Sequence, residues 1–177
     1  MRPLPRSFYE RDALVLARAL VGTHLVHGDR VARIVETEAY RGPKDLACHA
    51  RAGLTKRTRA LLGPPAHAYV FLVYGMHECF NVVGGAVGRG HAVLIRAVEP
   101  VSGVEERTSG PGLLTRALGI SRAHDGASLT GGELFVAART KRPRITVSTR
   151  IGVEYAGIWA KKPWRFYDAR SPCVSRR

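Results

Sequence analysis

Within the run Ile34-Val35-Glu36-Thr37-Glu38-Ala39-Tyr40, two carboxylates and a phenol recur at every second residue. In an extended strand that spacing turns alternate side chains to one face, so Ile34, Glu36, Glu38 and Tyr40 are expected together, with Val35, Thr37 and Ala39 on the other. Same-face neighbours lie ~7 Å apart, inside the ~6.5 to 9.5 Å that leaves room for a water between two carboxyl groups in glycosidic bond hydrolysis. Paired glutamates also occur on solvated faces, which is the plainer reading. Against it stands the scarcity of acid: 14 Asp plus Glu face 28 Lys plus Arg. Two neighbouring carboxylates in so basic a chain are the first candidates for general acid-base chemistry.

Rings and cations follow in the sequence. Tyr40, His49, Tyr69, Phe71 and Tyr74 are interleaved with Arg41, Lys44, Arg51, Lys56, Arg57 and Arg59. Flat rings bind nucleobases by stacking, and a cationic base adds a cation-π attraction. Period two divides Tyr69, Phe71 and Val73 from Val70, Leu72 and Tyr74, so some of these rings belong to a sheet core. The formal charge of +14 calls for a polyanionic partner, nucleic acid before all others, although a ribosomal-type or membrane-surface protein would have the same balance. Cys48-His49 and His77-x-Cys79 lack the spacing of a zinc site, so no metal is expected. No phosphate-binding glycine loop occurs, and no cofactor is expected. Three cysteines, Cys48, Cys79 and Cys173, fit a reducing compartment better than a disulfide framework.

Positioning these groups requires a packed scaffold, and 177 residues with 45% apolar side chains suit one domain spanning residues 1–177. Apolar spacing predicts a helix over Asp12 to Leu20. Strands are expected at His24 to His27 and Val31 to Tyr40, joined by Gly28-Asp29. Thr55 to Leu62 reads as a short basic helix ended by Gly63-Pro64-Pro65, and Ala68 to Val83 as a hairpin with Tyr74 and His77 at its tip. His91 to Glu99 reads as a strand ended by Pro100, and Gly110 to Leu118 as a helix. Glu133 to Ala137, Arg144 to Thr149 and Trp164 to Tyr167 complete the strands. The expected fold is α+β, a curved, mainly antiparallel sheet with short helices and a protruding β-hairpin. No secretory or membrane-spanning pattern is read, so an intracellular monomer is expected, in the cytoplasm or nucleoid of a bacterium or the nucleus of a eukaryote.

The motifs taken together carry a resemblance. Ile34 to Tyr40 followed by x-Gly, Asp45 and His49, Tyr69 to Met76, Cys79, Asn81, and Ala92 to Pro100 resemble the mammalian-type alkyladenine (3-methyladenine) DNA glycosylases. Ser109-Gly110-Pro111-Gly112-x-Leu114, Arg150-Ile151-Gly152 and Lys162 to Tyr167 agree, and the likeness is thinnest from Ser121 to Thr149. The resemblance implies an enzyme without lyase activity that flips an alkylated or otherwise damaged purine from duplex DNA and hydrolyses its glycosidic bond. By the same likeness Glu38 is the general base, Arg96 helps to hold the attacking water and the Ile151 carbonyl is a further acceptor, which leaves Glu36 to orient its neighbours. Tyr40, His49 and Phe71 match the walls around the extruded base, with Phe71 replacing a common Tyr. Asn81 matches a residue that discriminates against the exocyclic amino group of guanine, Leu61 stands where Met is sometimes found, and Tyr74 resembles the wedge that fills the vacated stack. A basic RNA-binding or RNA-modifying protein is the alternative; it would share the charge and rings without needing the set Glu38, Arg96 and Ile151.

Overall fold

The computed structural model describes residues 1–177. A one-turn helix, α1 (Arg6–Tyr9), precedes α2 (Ala13–Leu20). Asp12 starts α2 by accepting a hydrogen bond from the Leu14 N–H at 2.9 Å, and Ala13, Leu16, Ala17 and Leu20 fall at helical spacing on its buried face,. That stripe packs on β2 (Arg30–Arg41), which pairs with β1 (His24–His27) across the two-residue turn at Gly28-Asp29. The remaining strands are β3 (Ala68–Val73), β4 (His77–Gly84), β5 (His91–Ser102), β6 (Leu134–Ala137), β7 (Ile145–Ser148) and β8 (Arg165–Asp168). Helix α3 (Pro111–Leu118) opens with proline in its first turn and closes on Gly119 in the left-handed conformation,.

All eight strands form one antiparallel sheet of order β3-β4-β5-β2-β1-β6, with β8 pairing β2 and β7 pairing β8. The sheet curls, and the fold is α+β. It also branches: along one edge β2 pairs with β5 throughout, while along the other it pairs first with β1 at residues 30–33 and then with β8 at Glu36 to Glu38. The carboxylate-bearing stretch is therefore held from both sides. The largest core cluster lies where α2 and α3 meet the sheet, around Leu16, Leu20, Ile34, Phe80, Ile95 and Leu114. No helix is long and apolar enough to cross a membrane.

The structure departs from the sequence reading in four places. Thr55 to Leu62 forms turns instead of a helix, because Thr55 and Thr58 divert local hydrogen bonds: the Thr58 N–H donates to Thr55 Oγ1, and the Thr58 hydroxyl donates to Gly53 O,. Strand β5 runs through Pro100 to Ser102; beyond Leu94 it has no β4 partner, so proline's missing N–H falls on a free edge,. Strict alternation fails in β2. Register shifts flank Glu36, and Ile34 shares the main core with Ala39, five residues on, so Ile34 leaves the face of Glu36 and Glu38. Finally, three short 3-10 segments, His49–Ala52, Arg122–His124 and Glu154–Trp159, have too few residues to show a helical period.

Candidate active site

Glu38 is completely buried, yet it retains three polar neighbours. The Ile151 N–H donates to Oε1 at 2.8 Å, the Tyr40 hydroxyl donates to Oε2 at 3.0 Å, and Arg96 Nη1 stands 3.5 Å from Oε1. Burial raises the pKa of this carboxyl above its ordinary value, and the nearby Glu36 charge adds to the rise; Arg96, the Ile151 amide and the Tyr40 phenol pull the other way,. Arg96 also faces Glu36, with Nε 3.7 Å from Oε1, but its buried Nε has no hydrogen-bond partner. Arg96 thus spans the two carboxylates, Nη1 toward Glu38 and the unsatisfied Nε toward Glu36, an arrangement suited to gripping a small polar molecule beside Glu38,.

Glu36 is occupied differently. Arg165 Nη1 donates to its Oε1 at 2.8 Å, and the Ser175 N–H donates to its Oε2 at 2.7 Å. Each carboxylate accepts one hydrogen bond per oxygen, but the Glu36 partners Arg165 and Ser175 lie away from the adjoining cavity, whereas the Glu38 partners Tyr40 and Ile151 line it, which fits an orienting role for Glu36,.

Above this floor opens a cavity of about 550 Å³ lined by Tyr40, His49, Leu61, Phe71, Asn81 and Arg96, among others, with Tyr74 and Ile151 also on its border. That volume lies within the usual range for small-ligand sites. The cavity loop turns at Gly42, two residues after Tyr40: its φ is +83°, and a Cβ there would come within 2.3 Å of Arg89 O, so only glycine fits,. His49 enters on its 3-10 turn and meets Phe71 edge to face, with centroids 4.6 Å apart. Its Nδ1 lies 2.9 Å from the Tyr69 hydroxyl. Burial, helped by the Arg57 charge, lowers the His49 pKa to about 4, so the ring is neutral at physiological pH. The Tyr69 phenol is pushed up to about 12 by burial. Tyr69, Phe71 and His49 therefore make a continuous wall of uncharged rings.

On β4, Asn81 Nδ2 donates to the carbonyls of Tyr69 and Cys79 at 3.1 and 3.4 Å. Because both partners are acceptors, the amide orientation is determined and Oδ1 is the atom left for a ligand. Leu61 is buried among Cys48, Ala50, Tyr69 and Val83. Tyr74 stands apart at the hairpin tip, 88% exposed and with φ of +52°, a left-handed conformation uncommon for a tyrosine,.

Tyr40, His49, Leu61, Phe71, Tyr74, Asn81, Arg96 and Ile151 thus line one cavity, and Glu38 is hydrogen-bonded to two of them, Tyr40 and Ile151. The Ile151 carbonyl, expected as a further acceptor for the attacking water, is a separate group from the Ile151 amide N–H, which donates to Glu38. The rings of His49 and Phe71 touch each other directly.

Sequence reasoning missed the pair beneath this floor. Fully buried Arg150 grips fully buried Asp45 through two hydrogen bonds of 2.6 and 2.9 Å, and also donates to Ala39 O and Trp159 O. Its guanidinium lies 4.8 Å from the Tyr40 ring centroid and 4.9 Å from that of Trp164. Arg150 directly precedes Ile151, so this pair holds the amide that meets Glu38 and supports the ring that caps it. Asp45 and Arg150 were visible only as members of motifs; nothing in a sequence distinguishes a buried arginine from the other basic residues.

Comparison with known proteins agrees with the geometry. The sequence model of the family described as "Methylpurine-DNA glycosylase (MPG)" matches residues 7–172. A Myxococcus xanthus (strain DK1622) protein named "Putative 3-methyladenine DNA glycosylase" is 53% identical over 184 residues, covering 99% of this chain and 95% of its own length. A protein of the same name from Legionella pneumophila (strain Corby) is 46% identical over 182 residues, covering 99% of this chain and all of its own length.

Proposed function

The chain belongs to the methylpurine-DNA glycosylase family, and from that premise we propose that it hydrolyses the glycosidic bond of damaged purines flipped out of duplex DNA, with Glu38 as general base. The observation that carries this reading is the buried Glu38, hydrogen-bonded to Tyr40 and Ile151 and 3.5 Å from Arg96 Nη1, with all three of those partners lining an aromatic cavity. In the proposed reaction a water held between Glu38 and Arg96 attacks C1′ of the deoxyribose. Its proton passes to Glu38, the C1′–N9 bond breaks, and the bonding electron pair leaves with the purine. Tyr40 and the His49-Phe71 wall grip the base by stacking. A cationic base, alkylated at N3 or N7, is attracted to uncharged rings and departs as a neutral molecule. Asn81 is proposed to discriminate against normal guanine through the space its side chain fills, because its free Oδ1, an acceptor, would receive a hydrogen bond from the amino group,.

The direct test incubates the protein with duplexes bearing a single 3-methyladenine, 7-methylguanine, hypoxanthine or ethenoadenine. Release of base with strand breaks only after alkali is the expected result. Breaks without alkali would reveal lyase chemistry, and no release from any of the duplexes would defeat the proposal.

Tyr74 is proposed as the wedge that holds the stack open while the lesion occupies the cavity. Its left-handed backbone and exposed ring project from a three-residue turn between Val73 and His77, which leaves the ring free to enter a base stack. Base stacking on an aromatic ring contributes ~1 to 3 kcal/mol, so Tyr74→Ala should reduce capture of the flipped state roughly tenfold. An ethenoadenine fluorescence signal reports that capture, and affinity for undamaged duplex should hardly change. An equal loss on both duplexes would count against the wedge.

A further inference from the structure

One cation in the cavity wall has no part in the reaction just described. Arg57 lines the same cavity as Phe71, and its guanidinium carbon lies 5.2 Å from the Phe71 ring centroid. The other arginine of the cavity lining, Arg96, faces Glu36 and Glu38, and the buried Arg150 and Arg165 beneath it are paired with Asp45 and Glu36. Arg57 makes no such pair, although the side chain is exposed and able to turn toward one. It instead stays by the rings, where its charge opposes protonation of His49. The result is a wall of neutral rings carrying a single uncompensated positive charge.

Resting on the glycosylase reading, we propose that Arg57 is the electrophilic group that draws the glycosidic electron pair onto the departing purine, and that it thereby sets the preference between neutral and cationic lesions. When the bond to N9 breaks, the pair goes to the base, whose charge falls by one in either case. A cationic purine leaves neutral, and a neutral purine leaves as an anion that later takes a proton from solvent. A cation near the base favours that change for both. Before the bond breaks, however, the same cation repels a base that is already positive and does not repel a neutral one. Arg57 thus assists departure of every lesion while opposing capture of the cationic class. A guanidinium does this by charge and hydrogen bonding, without giving up its own proton.

The size of the effect follows from two unit charges roughly 6 Å apart. Between a protein-surface and a water-like dielectric response, their interaction corresponds to about a 3- to 100-fold change in an equilibrium or rate. The experiment measures single-turnover excision of 7-methylguanine, as the cationic lesion, and hypoxanthine, as the neutral one, across enzyme concentrations. Wild type, Arg57→Gln and Arg57→Lys are compared for the maximal rate and for the enzyme concentration at half-maximal rate.

Arg57→Gln should lower the maximal rate on both lesions. It should also lower the half-saturating concentration for 7-methylguanine relative to hypoxanthine, shifting that ratio about tenfold, and Arg57→Lys should keep most of the wild-type ratio because it keeps the charge. Unchanged maximal rates, with the same loss of affinity on both lesions, would make Arg57 a contact to the DNA backbone and overturn the inference. A ratio that fails to move would overturn it as well. Failure of wild type to release either base would instead defeat the glycosylase reading, so the two failures are distinguishable.

Discussion

Glu38→Gln is expected to lower the single-turnover rate of base release by roughly 100- to 10,000-fold, the usual weight of a positioned general base, while the protein stays folded and still binds lesion-bearing duplex. The amide has the size of the carboxylate, and its carbonyl can accept the Ile151 N–H that Glu38 now accepts at 2.8 Å. Its NH2 can donate to the Tyr40 oxygen, turning that phenol from donor to acceptor. Arg96 keeps a carboxylate in Glu36, 3.7 Å from its Nε. What disappears is the capacity to take a proton from water.

The pH profile separates that loss from a misshapen cavity. Burial raises the Glu38 pKa, and the base works only when ionised, so wild-type activity should be full above that pKa and fall as pH drops through it. The falling limb belongs above the ordinary glutamate value of ~4.3. The substrate for this measurement is 7-methylguanine, because its leaving base is already cationic and adds no acid requirement of its own. In Glu38→Gln the residual rate should be flat across the same range. A variant that keeps the limb would show that some other group titrates, and one that keeps the rate would remove Glu38 from the chemistry.

How much of this was legible in the sequence differs from element to element, and for physical reasons. Alternation in β3 and β4 revealed the hairpin, because each strand has one face in the core and the other toward the cavity, and Gly75 marked the turn. The spacing of Glu38 and Tyr40 put both on one face, where the structure joins them by a hydrogen bond. Alternation failed one turn of the pleat earlier, at Ile34, because the bulges around Glu36 arise where β2 must pair with β5 on one edge and exchange β1 for β8 on the other. That demand comes largely from β5 and β8, both distant in sequence. The commitment of Glu36 was equally hidden, since Arg165 lies 129 residues away and Ser175 lies 139 away. Local pattern thus exposes which side chains share a face. Which of two neighbouring carboxylates adjoins the cavity is decided by what the rest of the chain brings to it.

The largest stability effect is expected at the ion pair that the sequence concealed. Arg150→Met should destabilise the protein by about 3 to 5 kcal/mol, the cost typical of leaving one member of a buried pair uncompensated. Without the guanidinium, Asp45 keeps only the N–H groups of Arg41 and Ala47, at 3.3 and 3.1 Å, and the carbonyls of Ala39 and Trp159 each lose a donor. Asp45→Leu should be costly for the converse reason, a buried cation left with two carbonyls. The double variant Asp45→Leu/Arg150→Met restores an apolar interior and should recover most of the stability lost by either change, because a buried pair contributes little beyond its hydrophobic replacement. Activity should not recover with it. Arg150 also stacks on Tyr40 and precedes the amide that meets Glu38, and methionine has neither the charge nor the hydrogen bonds to hold them. Urea unfolding of the four proteins, alongside single-turnover excision, separates the two roles: stability that rebounds while the rate stays low assigns the pair to positioning the catalytic floor, whereas a rate that rises in step with stability reduces it to a structural lock.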